Sequence, residues 1–98
     1  MTITSKQRAF LKGLAQTITP AAQFGKGELT GDQITMIEQL LVKRELIKCS
    51  VLETSPYTAR ELCALICEKT DAAPVQVIGR RFVIYRPNPE NPVIRPAK

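Results

Sequence analysis

The residues of this chain that could do chemistry are mostly cationic, and they are concentrated at its two ends. The first 27 residues carry four basic side chains and no acid, and the last 27 carry five basic side chains and one acid, Glu90. The 44 residues between them hold eight of the nine acids. A fold that brings the two ends together would gather a positive surface, which favours nucleic acid as the first partner to consider. Charge alone also fits an ordinary soluble cationic protein, so both alternatives stay open.

Catalytic chemistry has little support in the residue types. The chain has no histidine, so the commonest general acid–base group and activator of nucleophiles is missing. The three cysteines, Cys49, Cys63 and Cys67, form no CxxC pair, and Cys63 and Cys67 fall one helical turn apart on an otherwise apolar stripe. We therefore expect buried free thiols in a reducing compartment, with no metal site, no cofactor and no enzymatic activity.

The length and composition favour one soluble domain. A chain of 98 residues can bury a single core. No window approaches the roughly 18 consecutive apolar residues of a membrane span, and the amino terminus lacks the apolar core of a secretory signal. We expect a cytoplasmic protein with no membrane partner and no small-molecule substrate.

Periodicity predicts a helix and then a short strand at the start of the chain. Thr4 and Ser5 can cap the helix, and Pro20 would end it. Its apolar face is predicted to hold Gln7, Phe10, Leu11, Leu14 and Ile18. The opposite face is a polar ridge of Arg8, Lys12 and Gln16. The run 22–24 is short enough to be a strand that leads into Gly25.

Two capping boxes and an alternating segment predict two helices with a strand between them in the middle of the chain. Thr30 with Gln33 opens a second helix that runs to about Arg44, and Thr58 with Glu61 opens a third. Between these helices, residues 46–52 alternate between apolar and polar side chains, which is typical of a half-buried strand. The third helix is predicted to expose Arg60, Glu61, Ala64 and Glu68.

The last regular elements are predicted to form a hairpin. Residues 75–78 and 81–85 flank Gly79-Arg80, a two-residue loop suited to a type II′ turn. This register predicts an inner face of Val75, Val77, Phe82 and Ile84 and an outer face of Gln76, Ile78, Arg81, Val83 and Tyr85. Four prolines follow Arg86. We expect residues 88–98 to form an extended, mobile tail outside a domain of residues 1–87.

The glycine turn Gly25-Lys26-Gly27-Glu28 is predicted to lie immediately before the second helix. Glycines there would let a polynucleotide backbone come close, and the free N–H groups and dipole of a helix amino terminus favour phosphate. Lys26 could supply the charge. The two glycines could equally serve only to permit a positive φ.

Four separated segments of the sequence together resemble one family. They are residues 4–15 (TSKQRAFLKGLA), residues 24–27 (FGKG), residues 44–48 (RELIK), and residues 75–80 with 83–87 (VQVIGR and VIYRP). In this order they resemble the YhbY family, small bacterial proteins made of a stand-alone CRM domain, the chloroplast RNA splicing and ribosome maturation module. The resemblance spans roughly residues 3 to 87.

The resemblance implies an α/β fold of order helix-strand-helix-strand-helix-hairpin. A four-stranded mixed sheet would pack against the helices, as in the carboxy-terminal domain of the third bacterial translation initiation factor. The resemblance also implies RNA binding, association with ribosomal RNA in precursors of the large ribosomal subunit, and a GxxG loop like that of KH domains. Glu28 stands where the second glycine of that loop is expected, and its carboxylate would weaken a phosphate contact or serve the helix dipole instead. Only Gly25, Lys26 and Gly27 are therefore carried over as RNA-binding residues.

Five further basic residues extend the predicted RNA-binding site: Lys6, Arg8 and Lys12 on the first helix, and Arg80 and Arg81 at the hairpin. Each alone could be solvated surface, whereas as a group they favour phosphate contacts. Tyr85 on the outer sheet face could stack on a base. The function predicted is non-enzymatic assistance of large-subunit assembly. The alternative is a protein–protein interaction module that uses the outer sheet face and an exposed Leu65 or Met36.

Overall fold

The computed structural model describes residues 2–90 and 94. Its elements are, in chain order, α1 (Ser5–Ala15), β1 (Pro20–Phe24), α2 (Gly31–Arg44), β2 (Leu46–Val51), α3 (Ala59–Thr70), β3 (Ala73–Ile78) and β4 (Arg81–Tyr85). The strands form one sheet of order β1-β2-β4-β3, in which β1 and β2 are parallel and the other pairs antiparallel. The predicted α/β class and element order are confirmed. Within the described ranges, no helix combines the length and apolar character that crossing a membrane requires.

Helices lie on both faces of the sheet. On one face, α2 and α3 cover a core that includes Phe24, Ile47 and Phe82. On the other, α1 covers a smaller cluster built from Ile3, Leu11, Ala15, Leu46, Ala73, Val75, Val83 and Tyr85. The central strands β2 and β4 carry apolar side chains on both faces, which is why the sheet needs a helical layer on each side.

Each helix opens with the same reciprocal cap. In all three, the hydroxyl of the N-cap threonine accepts a hydrogen bond from the backbone N–H of the residue three positions later. The side chain of that residue in turn accepts a hydrogen bond from the backbone N–H of the threonine. The pairs are Thr4 with Gln7, Thr30 with Gln33, and Thr58 with Glu61. The two predicted capping boxes are confirmed, and the predicted Thr4 cap is also a complete box. The hydrogen bonds from Thr58 lower the pKa of Glu61.

The first helix is shorter than predicted and buries a narrower face. It ends at Ala15, and the turn that follows leaves Ile18 half-buried against the α1-side cluster. The predicted burial of Phe10 and Leu14 is wrong, because these side chains are 42% and 39% exposed. Within the described part of the chain, α1 is the single helix on this face, so the stripe through Leu11 and Ala15 is the part of α1 that is buried against the sheet.

The hairpin turn is as predicted, but its register changes further along. Ile78 pairs with Arg81, and Gly79 has a φ of +55°. A register shift between Pro74 and Gln76 then places Pro74 opposite Ile84, so the predicted pairing of Val75 with Ile84 is wrong. Val75 turns instead to the α1 side. A proline cannot donate to the ladder, and a bulge accommodates it at this edge strand.

The outer sheet face is not an open surface along its whole length. Tyr85 and Val83 are each 3% exposed within the cluster that α1 covers. The predicted stacking of Tyr85 on a base is therefore wrong, because the ring is already inside the protein. Burial, followed by the nearby Glu45 carboxylate, raises the pKa of Tyr85.

The segment after β4 is held to the domain where it is described. Glu45 is fully buried at the carboxyl end of α2, with a φ of 63°. Its carboxylate accepts hydrogen bonds from the backbone N–H groups of Asn88 (2.5 Å) and Ile94 (2.6 Å). The described part of the tail thus contacts the domain at these two residues, and the mobility of the tail stays a prediction. The rest of the prediction, for residues 91–93 and 95–98, lies outside the described residues.

Candidate nucleic-acid interface

Three loops meet at one end of the sheet. The Leu52 N–H donates to the Phe24 carbonyl at 2.8 Å, and the Val51 N–H donates to the Arg80 carbonyl at 2.7 Å. The glycine loop after β1 and the β3–β4 turn therefore share this end, with residues 52–58 between them. Neighbouring strands are about 4.8 Å apart, so the glycine loop lies roughly 10 Å from the start of β4.

The two glycines of the loop are favoured for different reasons. Gly27 has a φ of +98°, a conformation that side chains rarely adopt. At Gly25 the constraint is space, because a Cβ there would lie 3.1 Å from Leu52 Cδ1 and 3.5 Å from Thr54 Oγ1. Lys26 and Glu28 are both exposed. The loop thus presents a lysine on a backbone whose shape the glycines set.

The glycine turn precedes α2 as predicted, with Leu29 and the N-cap residue Thr30 between the turn and the first helical residue, Gly31. The Thr30 hydroxyl already accepts the Gln33 N–H, and Asp32 places a negative charge in the first turn. The Leu29 N–H donates to the Tyr57 hydroxyl at 3.4 Å. Any phosphate contact of this loop therefore depends on Lys26 and the loop backbone more than on the helix dipole.

Arg80 and Arg81 leave the hairpin in different environments. Arg80 Nη2 lies 3.4 Å from Glu53 Oε1, and these side chains are 60% and 83% exposed. Such an exposed pair contributes about 0 to 1 kcal/mol, so Arg80 can readily exchange Glu53 for another anion. Arg81 is exposed on the α1 side of the sheet, beyond the part that α1 covers, where it lines a hollow with Lys48.

The basic residues of α1 lie beside the edge strand β3. Arg8 Nε and Nη2 are each 3.4 Å from the Pro74 carbonyl oxygen, to which they donate. Arg8 and Lys12, together with Arg60 of α3, line a groove along residues 74–78. Cations from both sides of the sheet thus flank one strand edge. Lys6 is exposed on the first turn of α1, and the described contacts do not join it to this groove.

The cysteines lie away from these surfaces. Cys49, Cys63 and Cys67 are buried free thiols in the core beneath α3, which confirms their predicted state. Burial raises the pKa of Cys49 to about 12. The hydrogen bond between Cys63 and Cys67 lowers the pKa of Cys63 and raises that of Cys67. Among the described residues, no group of histidine, cysteine or acidic side chains is placed to hold a metal ion.

Comparison with known proteins identifies the family. The model of the CRS1 / YhbY (CRM) domain matches residues 3–86. The chain belongs to this family. An RNA-binding protein of Haemophilus influenzae is 38% identical over 97 residues, which are 99% of this chain and 98% of that protein. The Bacillus subtilis protein YqeI, named a probable RNA-binding protein, is 35% identical over 89 residues, covering 91% of this chain and 93% of its own.

A solved structure supports the CRM fold. The solution structure of SAV1595 from Staphylococcus aureus, described as a candidate RNA-binding protein, superposes with a TM-score of 0.80. It is 40% identical in sequence and covers 98% of this chain and 100% of its own. The resemblance and the fold predicted from the sequence are thereby confirmed.

The CRM fold divides the predicted site residues into groups. Gly25, Lys26, Gly27 and Arg80 lie at the loop end of the sheet, and Arg8 and Lys12 lie at the β3 edge. Arg81 connects the two, because it pairs with Ile78, which borders the β3 groove. Sequence reasoning missed Arg60 and Lys48. Arg60 was predicted to be exposed on the third helix, but only the tertiary structure brings Arg60 and the half-buried Lys48 beside the other cations.

Proposed function

We propose that this CRM-domain protein binds RNA, that its target is ribosomal RNA in precursors of the large ribosomal subunit, and that it assists their maturation. The names of its relatives support RNA as the ligand. The observation that carries the proposal is the convergence of cations from separate elements on one strand edge. Arg8 and Lys12 of α1 and Arg60 of α3 all line the groove along β3.

The mechanism is electrostatic clamping without catalysis. The β3 groove and the glycine loop place cations at opposite edges of the sheet, separated by roughly 15 Å because three strand spacings lie between β1 and β3. Neutralised phosphates release counterions, which gives affinity without dependence on base sequence. Two such areas can hold two parts of a folded RNA in a fixed relation while other components assemble. The proposal requires no cofactor, and it places the protein in the cytoplasm.

Gradient sedimentation of cell lysate tests the proposal. The wild-type protein is expected to migrate with large-subunit precursors at low salt and to leave them at high salt or after ribonuclease treatment. A variant with Arg8→Ala, Lys12→Ala and Arg60→Ala should migrate as the free protein. A matched control with Lys43→Ala and Arg44→Ala loses exposed cations from the end of α2 and should still co-migrate.

The alternative of a protein-interaction module predicts a different result. Association that resists salt and ribonuclease, and that involves one protein, would contradict the RNA proposal. The outer sheet face is partly covered by α1, and Leu65 is half-buried, so these parts of the alternative lose support. Met36 is 39% exposed on α2 and stays available for such a contact.

A further inference from the structure

The α1 side of the sheet is only partly covered, and its uncovered end forms a shallow hollow. The hollow is lined by Lys48, Gln76, Ile78, Arg81 and Val83. The register shows why these residues share it: Val83 of β4 lies between Lys48 and Gln76, and Arg81 pairs with Ile78. The hollow extends across β2, β4 and β3, which is roughly 10 Å, and along two successive same-face positions of each strand, which is roughly 7 Å. This area is about the size of one nucleobase.

The lining combines an apolar surface with polar and cationic groups. Val83 is buried at the floor, while Ile78 is 61% exposed, more than any other large apolar side chain in the described part of the chain. Gln76 and Lys48 are half-buried, and Arg81 is exposed. Among the described residues that line the hollow, none is acidic. A ligand that is complementary to these side chains has a flat apolar face, hydrogen-bonding groups at its edge, and a negatively charged group attached to it.

We propose that the hollow holds one unpaired nucleotide of the bound RNA. The base lies on Ile78, the Gln76 amide forms hydrogen bonds with its edge, and Arg81 and Lys48 contact the adjoining phosphates. An amide can donate to and accept from a base edge at once, and an arginine plane can also stack on a base. The inference rests on the proposed RNA function and adds to it a preference for unpaired positions.

The position of the hollow allows the RNA strand to continue on either side. Gln76 and Ile78 also border the β3 groove, which carries Arg8, Lys12 and Arg60. Arg81 follows directly on Arg80 of the exposed turn. A strand that places its base in the hollow therefore has cations for the preceding and following phosphates. This continuity of positive charge favours a nucleotide over an isolated apolar partner.

The test compares two RNAs with the same stem. One carries a single unpaired nucleotide within the stem, and the other is fully paired. Wild-type protein is expected to bind the bulged RNA about tenfold more tightly. Ile78→Thr, which keeps the β-branched shape, should reduce that preference about fivefold, and Gln76→Ala should reduce it by a similar factor. Neither change removes a charge, so the salt slope should be unchanged, and affinity for the paired RNA should fall less than affinity for the bulged RNA.

Two matched controls accompany these variants. Val42→Thr alters an exposed apolar residue of α2, which is 54% exposed, and should keep the preference. Gln23→Ala removes an exposed amide from β1, the edge strand opposite β3, and should also keep the preference for the bulged RNA.

The outcomes separate the inference from the proposed function. Equal binding of both RNAs by the wild type, or an intact preference in folded Ile78→Thr and Gln76→Ala variants, overturns the nucleotide site while RNA binding stands. Failure of the wild type to bind either RNA overturns both. Displacement of the bulged RNA by an acidic peptide, but not by single-stranded RNA, would assign the hollow to a protein partner and also overturn the inference.

Discussion

At the residue scale, the glycine loop at residues 25–27 combines structural constraints on its backbone with a lysine that is available to bind phosphate. Gly27 is fixed by its positive φ, and Gly25 by the proximity of Leu52. Both constraints are structural, and neither conflicts with phosphate binding, because the same turn presents Lys26 to solvent. Glu28, which stands where the resemblance implies a second glycine, is exposed and has no positive φ.

The first prediction concerns Glu28. Glu28→Gly removes a negative charge next to the proposed phosphate contact of Lys26, so RNA affinity should be equal or higher, and any gain should be larger at low salt. Binding titrations at two salt concentrations measure this. Lys26→Ala serves as the counterpart and should weaken binding. A clear loss of affinity on Glu28→Gly would mean that the carboxylate itself holds the loop in its binding shape.

The second prediction concerns the cations of the proposed interface, Arg8, Lys12, Arg60, Arg80 and Arg81. If each contacts a phosphate, its replacement by alanine should flatten the slope of log affinity against log salt by about 0.7 to 0.9 per contact, for RNAs of any sequence. Lys69→Ala is the control for Arg60, because it removes an exposed cation from the opposite end of α3.

Neutralising acidic residues provides a second control for these alanine variants of the basic residues. Glu61→Gln keeps the capping box, as glutamine does in the boxes of α1 and α2, and Glu68→Gln neutralises a second exposed acid of α3. These changes should alter only long-range attraction. A larger effect on affinity from them than from the basic residues would place the RNA on a different surface.

At the element scale, the position of α1 decides which part of the sheet is accessible. Its stripe of Leu11 and Ala15 covers Tyr85 and Val83, while the end of the same face near Arg81 stays open. Because α1 covers only part of this face of the sheet, it forms the α1-side cluster with the covered strands and leaves the hollow open beside it.

The third prediction tests this packing through Tyr85. Leu11 is fully buried, so Leu11→Ala should lower the free energy of unfolding by about 2 to 5 kcal/mol. Because burial is the main cause of the raised pKa of Tyr85, a loosened α1 should bring that pKa down towards about 10. Absorbance titration of tyrosinate in a Tyr57→Phe background isolates Tyr85. An unchanged pKa would show that α1 does not shield the ring.

The same pKa shift has a consequence for stability at alkaline pH. The folded state raises the pKa of Tyr85 above its unfolded value of about 10, so the protonated form is favoured on folding. The stabilisation is complete below pH of about 10 and is lost as the pH rises through the folded pKa. Denaturant titrations should show this loss, and Tyr85→Phe should reduce it.

At the scale of the whole molecule, Glu45 joins the carboxyl-terminal segment to the domain. Besides Asn88 and Ile94, it engages Arg86, whose N–H donates to the Glu45 carbonyl at 2.9 Å. Ile94 also packs against the α1-side cluster. Ile3, near the start of the chain, belongs to the same cluster, so these two segments lie on the α1 side of the sheet.

The fourth prediction is that residues 88–98 contribute to stability. Hydrogen bonds to a charged group contribute about 1.5 to 3 kcal/mol each, so deletion of this segment should lower the free energy of unfolding by at least about 2 kcal/mol. Urea denaturation measures it. Glu45→Gln should cost less in the shortened chain than in the full one, since the two changes remove the same contacts. Equal stability of both chains would instead support the boundary at residue 87.

The sequence by itself determined the features that depend on neighbouring residues. The three caps, the alternation of β2 and the turn at Gly79 are local, because each is specified by side chains within about four residues of one another. The fold class followed from their order together with the family resemblance.

The tertiary structure decided the features that depend on residues distant in sequence. The shortened α1 face, the bulge at Val75 and the burial of Tyr85 follow from how one helix fits a two-sided sheet. The grouping of Arg60 with Arg8, and of Lys48 with Arg81, follows from strand order and helix placement. Periodicity shows which side of an element is exposed, but only packing shows which exposed sides adjoin, because that depends on the competition among all elements for the same apolar area.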